Sequence, residues 1–162
     1  MIFRRVMGMA AGAALVLGPG VGVASTAASA EEITVRITRV KALDKIDANS
    51  EADFYAQVTI AGETFKSDPV QDKDDIRPNW VFTKKVAAGV HDVKVVIMDK
   101  DVAKDDAVDI NRVGSKRDLD FRVNTERCMI SGFTNPYRCG ASIVRAGNET
   151  RRAEITFSVD VK

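Results

Sequence analysis

One histidine, His91, and two cysteines, Cys128 and Cys139, are all the imidazoles and thiols in the 162 residues. A zinc centre built from several His and Cys ligands is excluded by that supply alone. Neither sign of charge dominates, with 24 Lys+Arg against 23 Asp+Glu, so there is no field of the kind that marks a nucleic-acid binder. No Gly-x-Ser-x-Gly elbow frames a nucleophile, and no glycine-rich loop is set to cradle a phosphate. What remains is 45% apolar and 29% charged, with many Val and Ile, which is the composition of a folded domain of ordinary size rather than of a disordered chain.

The first thirty residues read differently from the rest. Arg4 and Arg5 precede an uncharged run from Val6 to Val23, and Ala28-Ser29-Ala30 offers small side chains just before Glu31-Glu32. This is the pattern of a cleaved secretory signal, with cleavage expected after Ala30. An uncleaved anchor fits less well, because Gly18-Pro19-Gly20 breaks the run. Val6-Met7-Gly8 after the arginine pair matches twin-arginine export poorly, so Sec export is expected. The remainder, residues 31–162, carries 22 basic and 23 acidic groups once Arg4 and Arg5 are gone. A secreted or periplasmic location is the expectation. In an oxidising compartment, Cys128 and Cys139, with ten residues between them, are expected to form a disulfide that adds about 3 kcal/mol on the chain-entropy view. Asn148-Glu149-Thr150 fits a glycosylation sequon, but so short a pattern arises by chance.

Residues 31–162 alternate in hydropathy with a period of two. Ile33-Val35-Ile37, Phe54-Ala56-Val58-Ile60, Val93-Val95-Ile97, Leu119-Phe121-Val123 and Ile155-Phe157-Val159-Val161 each predict a half-buried strand. Shorter strands are expected at 64–66, 80–84 and 108–113. No window holds a helical stripe, so the fold class is all-β, a single antiparallel sandwich of about eight strands over residues 31–162. Trp80, Phe82 and Phe54 are expected in its packing, and His91 as an ordinary residue at a strand start.

Acidic residues gather in two inter-strand loops. One runs from Asp44 through Asp47 and Glu51 to Asp53, and the other from Asp99 through Asp101, Asp105 and Asp106 to Asp109. Two carboxylates about 5 Å apart repel by about 3 kcal/mol at an effective dielectric of about 20, so loops meeting at one end of the sandwich require a cation there. Many hard oxygen donors on loops favour Ca²⁺ over Mg²⁺ or a transition metal. The segment is not an EF-hand, since Lys104 stands where that loop needs glycine and Ile110 where it needs the bidentate Glu. The other reading of the same residues is solvated turns, with Lys45, Lys100 and Lys104 interleaved.

The order of the pieces adds a resemblance. Val40-Lys41-Ala42-Leu43, then Asp47 and Asp53, then Phe54-Tyr55-Ala56-Gln57-Val58 resembles the opening of a C2 domain. Arg77-Pro78-Asn79-Trp80-Val81-Phe82 is similar to that family's Asn-Pro-x-Trp-Asn segment, and Val95 to Asp101 followed by Asp105-Asp106 resembles its third loop. The resemblance implies a C2-like β-sandwich, in its circularly permuted form, in a secreted bacterial-type protein. It implies Ca²⁺ ligands at Asp47, Asp53, Asp99, Asp101 and either Asp106 or Asp105. Phe54 replaces the family's proline, the third loop is about one residue short, and Asp44 is an extra acid without an assigned part. The function implied is a Ca²⁺-binding module that presents a surface to a protein partner or, through salt-sensitive contacts, to anionic lipid. No nucleic acid and no catalysis are expected. The alternatives are a disulfide-stapled interaction sandwich that holds no metal tightly, and a small metal-dependent hydrolase.

Overall fold

The computed structural model describes residues 29–47, 50–102 and 104–162. The expected export signal, residues 1–30, falls outside these except at its last two positions, where Ala30 already pairs with Ala87. The described residues form twelve strands: β1 Ala30–Ala42, β2 Phe54–Ile60, β3 Glu63–Lys66, β4 Asp75–Ile76, β5 Trp80–Ala87, β6 Val90–Asp99, β7 Asp106–Val108, β8 Leu119–Asn124, β9 Met129–Ser131, β10 Tyr137–Arg138, β11 Ile143–Ala146 and β12 Ala153–Val161. Among the described residues there is no helix, and none long and apolar enough to cross a membrane.

The strands form two sheets, β11-β12-β1-β4 with β5 also on β1, and β10-β9-β8-β6-β2-β3 with β7 also on β6. Every ladder within them is antiparallel. The two long end strands, β1 and β12, lie side by side from Ile33↔Val161 to Ala42↔Ala153. The periodic windows became strands as expected, while β4, β9, β10 and β11 are too short to show a period. The strand expected at 108–113 sits earlier, at Asp106–Val108, because Asp109 turns out of the sheet to bridge Arg152.

Alternation explains the core. The first sheet turns Ile33, Val35 and Ile37 inward, and then the register slips at Thr38, so that the next inward residue is Val40 rather than Arg39. A one-residue bulge changes which face a side chain takes. Opposite lie Ala56, Val58 and Ile60 of β2, Val93, Val95 and Ile97 of β6, and Leu119, Phe121 and Val123 of β8, all buried. Phe121, Phe133 and Phe157 stack at centroid distances of 5.5 to 6.5 Å and anchor the hairpin of β9 and β10. Cys128 and Cys139 close that hairpin as a disulfide, their Cα atoms 5.3 Å apart.

Candidate functional site

Register brings the two acidic loops to one end of the sandwich. Phe54, the first residue of β2, lies opposite Asp99, the last of β6, and Asp99 lies opposite Asp106, the first of β7. The loop before β2 and both ends of the loop after β6 therefore emerge together. Backbone N–H donors tie them: Lys100 N–H donates to the Asp53 carbonyl at 3.0 Å, and Asp53 N–H donates to the Asp99 side-chain Oδ1 at 2.8 Å. The loop before β12 reaches the same end, because Ala153 pairs with Ala42 at the end of β1.

Asp99 is the central acid. It continues the inward row Val93, Val95, Ile97 by strict alternation and is 1% exposed, so a carboxyl terminates a line of aliphatic side chains. Burial pushes its pKa above the usual carboxylate range, and the charges of Asp101 and Asp47 add to this, against the opposing Asp53 N–H bond and Arg151. Burial disfavours the charged form, and neighbouring like charges disfavour it further.

The cation facing this group is Arg151. Its Nη1 lies 2.5 Å from Asp106 Oδ2, and its Nη2 lies 3.2 Å from Asp99 Oδ2 and 4.0 Å from Asp101 Oδ2. One guanidinium thus spans three carboxylates, the fork geometry that arginine provides and lysine does not. Holding it there is not free of strain. Arg151 has φ of 60°, the left-handed region, which a non-glycine residue adopts at a cost of about 1–2 kcal/mol. Its Nε is buried with no hydrogen-bond partner, a loss of about 1–3 kcal/mol for a neutral group and more for a charged one.

Two anchors shape the loop that carries it. Asp109, 1% exposed, accepts N–H bonds from Asn111 at 3.0 Å, Asn148 at 2.9 Å and Glu149 at 2.8 Å. Gly147 passes so close that a Cβ there would lie 2.2 Å from the Asp109 carbonyl oxygen. The second anchor is Asp44, the acid the sequence left without a part. It accepts from Arg152 Nε at 2.9 Å, Nη2 at 2.7 Å and the backbone N–H at 3.1 Å. Those bonds hold the Asp44 carboxyl down to a pKa of about 2. Consecutive arginines are therefore divided, Arg152 clamped to the first loop and Arg151 turned into the acid cluster.

The remaining predicted ligands are placed unequally. Asp106, not Asp105, faces Asp99. Asp105 accepts from the Tyr55 hydroxyl at 2.8 Å and from Lys100 Nζ at 3.0 Å, which together hold its pKa below the usual value. Asp53 Oδ1 accepts the Asp72 N–H at 2.7 Å. Asp47 takes the Ser50 hydroxyl at 2.5 Å, while its charge still reaches Asp99. Ile46, an apolar residue of the first loop, is 5% exposed and packs inward, whereas Val102 in the third loop is fully exposed.

Hard carboxylate oxygens from two loops are the donor chemistry a calcium ion takes. Asp47, Asp53, Asp99, Asp101 and Asp106 would hold one. As the side chains stand, no group of three or more His, Cys, Asp or Glu among the described residues is disposed around a metal position. The focus is filled by the Arg151 guanidinium, a stand-in cation of the sign the cluster demands. In donor type the site fits Ca²⁺, and in placement it is closed around arginine.

Comparison with known proteins gives the fold a family. No curated protein matches the sequence. Among solved structures, the human GIVD cytosolic phospholipase A2 in complex with methyl gamma-linolenyl fluorophosphonate is similar at 18% identity and a TM-score of 0.57, over 83% of this chain. The chain spans only 17% of that phospholipase. The calcium-bound pair of C2 domains, A and B, of Extended-Synaptotagmin 2 is similar at 11% identity and a TM-score of 0.55, over 80% of this chain and 45% of that one. A C2 domain protein from Ramazzottius varieornatus is similar at 15% identity and a TM-score of 0.52, over 83% of this chain and 89% of its own. The sequence itself matches the C2 domain family over residues 31–126. With two antiparallel sheets and acidic loops gathered at one end, this chain belongs to the C2 domain family.

Proposed function

We propose that the protein is an exported C2 module that binds Ca²⁺ through Asp47, Asp53, Asp99, Asp101 and Asp106 and so presents its loop end to an anionic lipid or protein surface. The observation that carries this is the convergence on Asp99: Asp101 and Asp106 share its arginine, and the charges of Asp101 and Asp47 raise its pKa. Like charges so gathered need a cation, and a divalent one suits their number. C2 domains are generally non-catalytic, and the reading here is of binding, not turnover. When bound, Ca²⁺ would supply positive charge at the loop tips, to which anionic headgroups or acidic side chains can attach. The disulfide-closed hairpin supports an oxidising location, and the charge and small-residue pattern of residues 1–30 supports export.

A calcium titration of residues 31–162, followed by calorimetry and thermal unfolding, tests the reading. Binding to the native state alone adds about 2.7 kcal/mol at a hundredfold excess over Kd, which should raise the melting temperature by several degrees. Mg²⁺ should do less, since it demands a tighter octahedral shell. Asp99→Asn should remove most of the shift and Asp120→Asn, outside the cluster, should retain it. Superimposed melting curves in millimolar Ca²⁺ and in chelator would leave the disulfide-stapled interaction sandwich as the function.

A further inference from the structure

We propose that Arg151 is the built-in cation of this loop end, and that Ca²⁺ enters only by expelling its guanidinium from Asp99, Asp101 and Asp106. The inference rests on the calcium reading above and adds a competitor within the chain. Competition follows at the level of single atoms. Asp99 Oδ2 and Asp106 Oδ2 receive Nη2 and Nη1 at 3.2 and 2.5 Å, so a metal drawing on these oxygens competes with the guanidinium for them. Charge acts in the same direction, because a guanidinium and a divalent ion sharing three carboxylates would repel one another at close range.

The surroundings allow the side chain to leave without unfolding the loop. Arg152 is clamped to Asp44 by three hydrogen bonds, and Asp109 grips the backbone at Asn148 and Glu149. These anchors fix the backbone on both sides of Arg151 and do not involve its guanidinium. The side chain is 27% exposed, so it already reaches solvent. Its left-handed backbone and orphaned Nε show that the closed arrangement is held by the acids and not by local preference. Once a metal takes the acids, little keeps the side chain in place, and Nε gains water.

The ion-free protein is thus stabilised by its own arginine, and its apparent calcium affinity is lowered by the competition, so the site responds at a higher calcium concentration than its ligands alone would set. Arg151→Gln should therefore bind Ca²⁺ at least tenfold more tightly by calorimetry, and should melt several degrees lower than wild type in chelator, with Ca²⁺ restoring the difference. Equal affinities in wild type and Arg151→Gln overturn the inference and leave the calcium reading standing. Absence of binding in both sinks the calcium reading and the competition with it, and a lowered melting point in chelator would then mark Arg151 as a fixed cross-link. If Arg151→Gln does not fold, wild type decides alone: the Arg151 Nε–Hε resonance of ¹⁵N-labelled protein should move to a solvent-like position as Ca²⁺ is added. Saturation with that resonance unmoved refutes the displacement.

Discussion

Asp109→Asn tests whether the loop before β12 is shaped as described. The carboxylate uses one oxygen for Asn111 N–H and the other for Asn148 and Glu149 N–H. A carboxamide has one accepting oxygen, so either orientation sets its NH₂ against at least one backbone N–H. Hydrogen bonds to a charged acceptor contribute about 1.5–3 kcal/mol and neutral ones about 1, and an N–H left unmade costs about 1–3 more. Asn148 and Glu149 are exposed, so water takes up part of that loss, and about 2 kcal/mol is expected. For a chain of this size that lowers the melting temperature by about 6 °C, measured by circular dichroism in chelator. Gly147→Ala should disturb the same residue, because its Cβ would lie 2.2 Å from the Asp109 backbone carbonyl oxygen and 2.6 Å from the carbon of its carboxylate. The double variant should then lose less than the sum of the two, as expected for residues in contact. Asp109→Asn melting within a degree of wild type, or strict additivity with Gly147→Ala, would refute the anchoring argument.

The pH dependence should show two opposite contributions. Asp44, held at about 2 against an ordinary 3.8, adds stability that is full above the unfolded value and is lost as pH falls through the folded one; Asp44→Asn should lose less between pH 4 and pH 2. Asp99, raised above 3.8, costs stability at neutral pH that is recovered as pH falls through its folded value, and Asp99→Asn should lack that recovery in melting curves taken from pH 7 downward. Reducing the Cys128–Cys139 bond should destabilise the protein by about 3 kcal/mol, while intact mass of the secreted form should correspond to a start at Glu31 with no alkylatable thiol. Liposome co-sedimentation should show weak, chelator-sensitive and salt-sensitive binding to anionic vesicles and none to neutral ones, since Val102 is exposed but Ile46 is buried; chelator-resistant or neutral-lipid binding would contradict this.

Much of this protein can be read along the chain, and the part that cannot has a common cause. Period-two alternation depends on neighbours two residues apart, so it placed the long strands, the sandwich and the inward phase of Ile33, Val93 and Ile155. The same alternation, carried one step beyond Ile97, is enough to bury Asp99. The two acidic loops and the cysteine pair are likewise local patterns. What the tertiary structure alone decided are contacts across the fold. Arg151 meets Asp99 over 52 positions, and Arg152 meets Asp44 over 108, because β12 lies antiparallel to β1 and brings its preceding loop to the acidic end. The slip at Thr38 that turns Val40 inward depends on the register with β12. That Asp106 rather than Asp105 faces Asp99 depends on β7 pairing Asp106 with Asp99 and on Tyr55 and Lys100 holding Asp105. The order of acids along the chain called for a positive charge only if the two loops met, and the pairing of distant strands both brought them together and set an arginine of the chain itself among them.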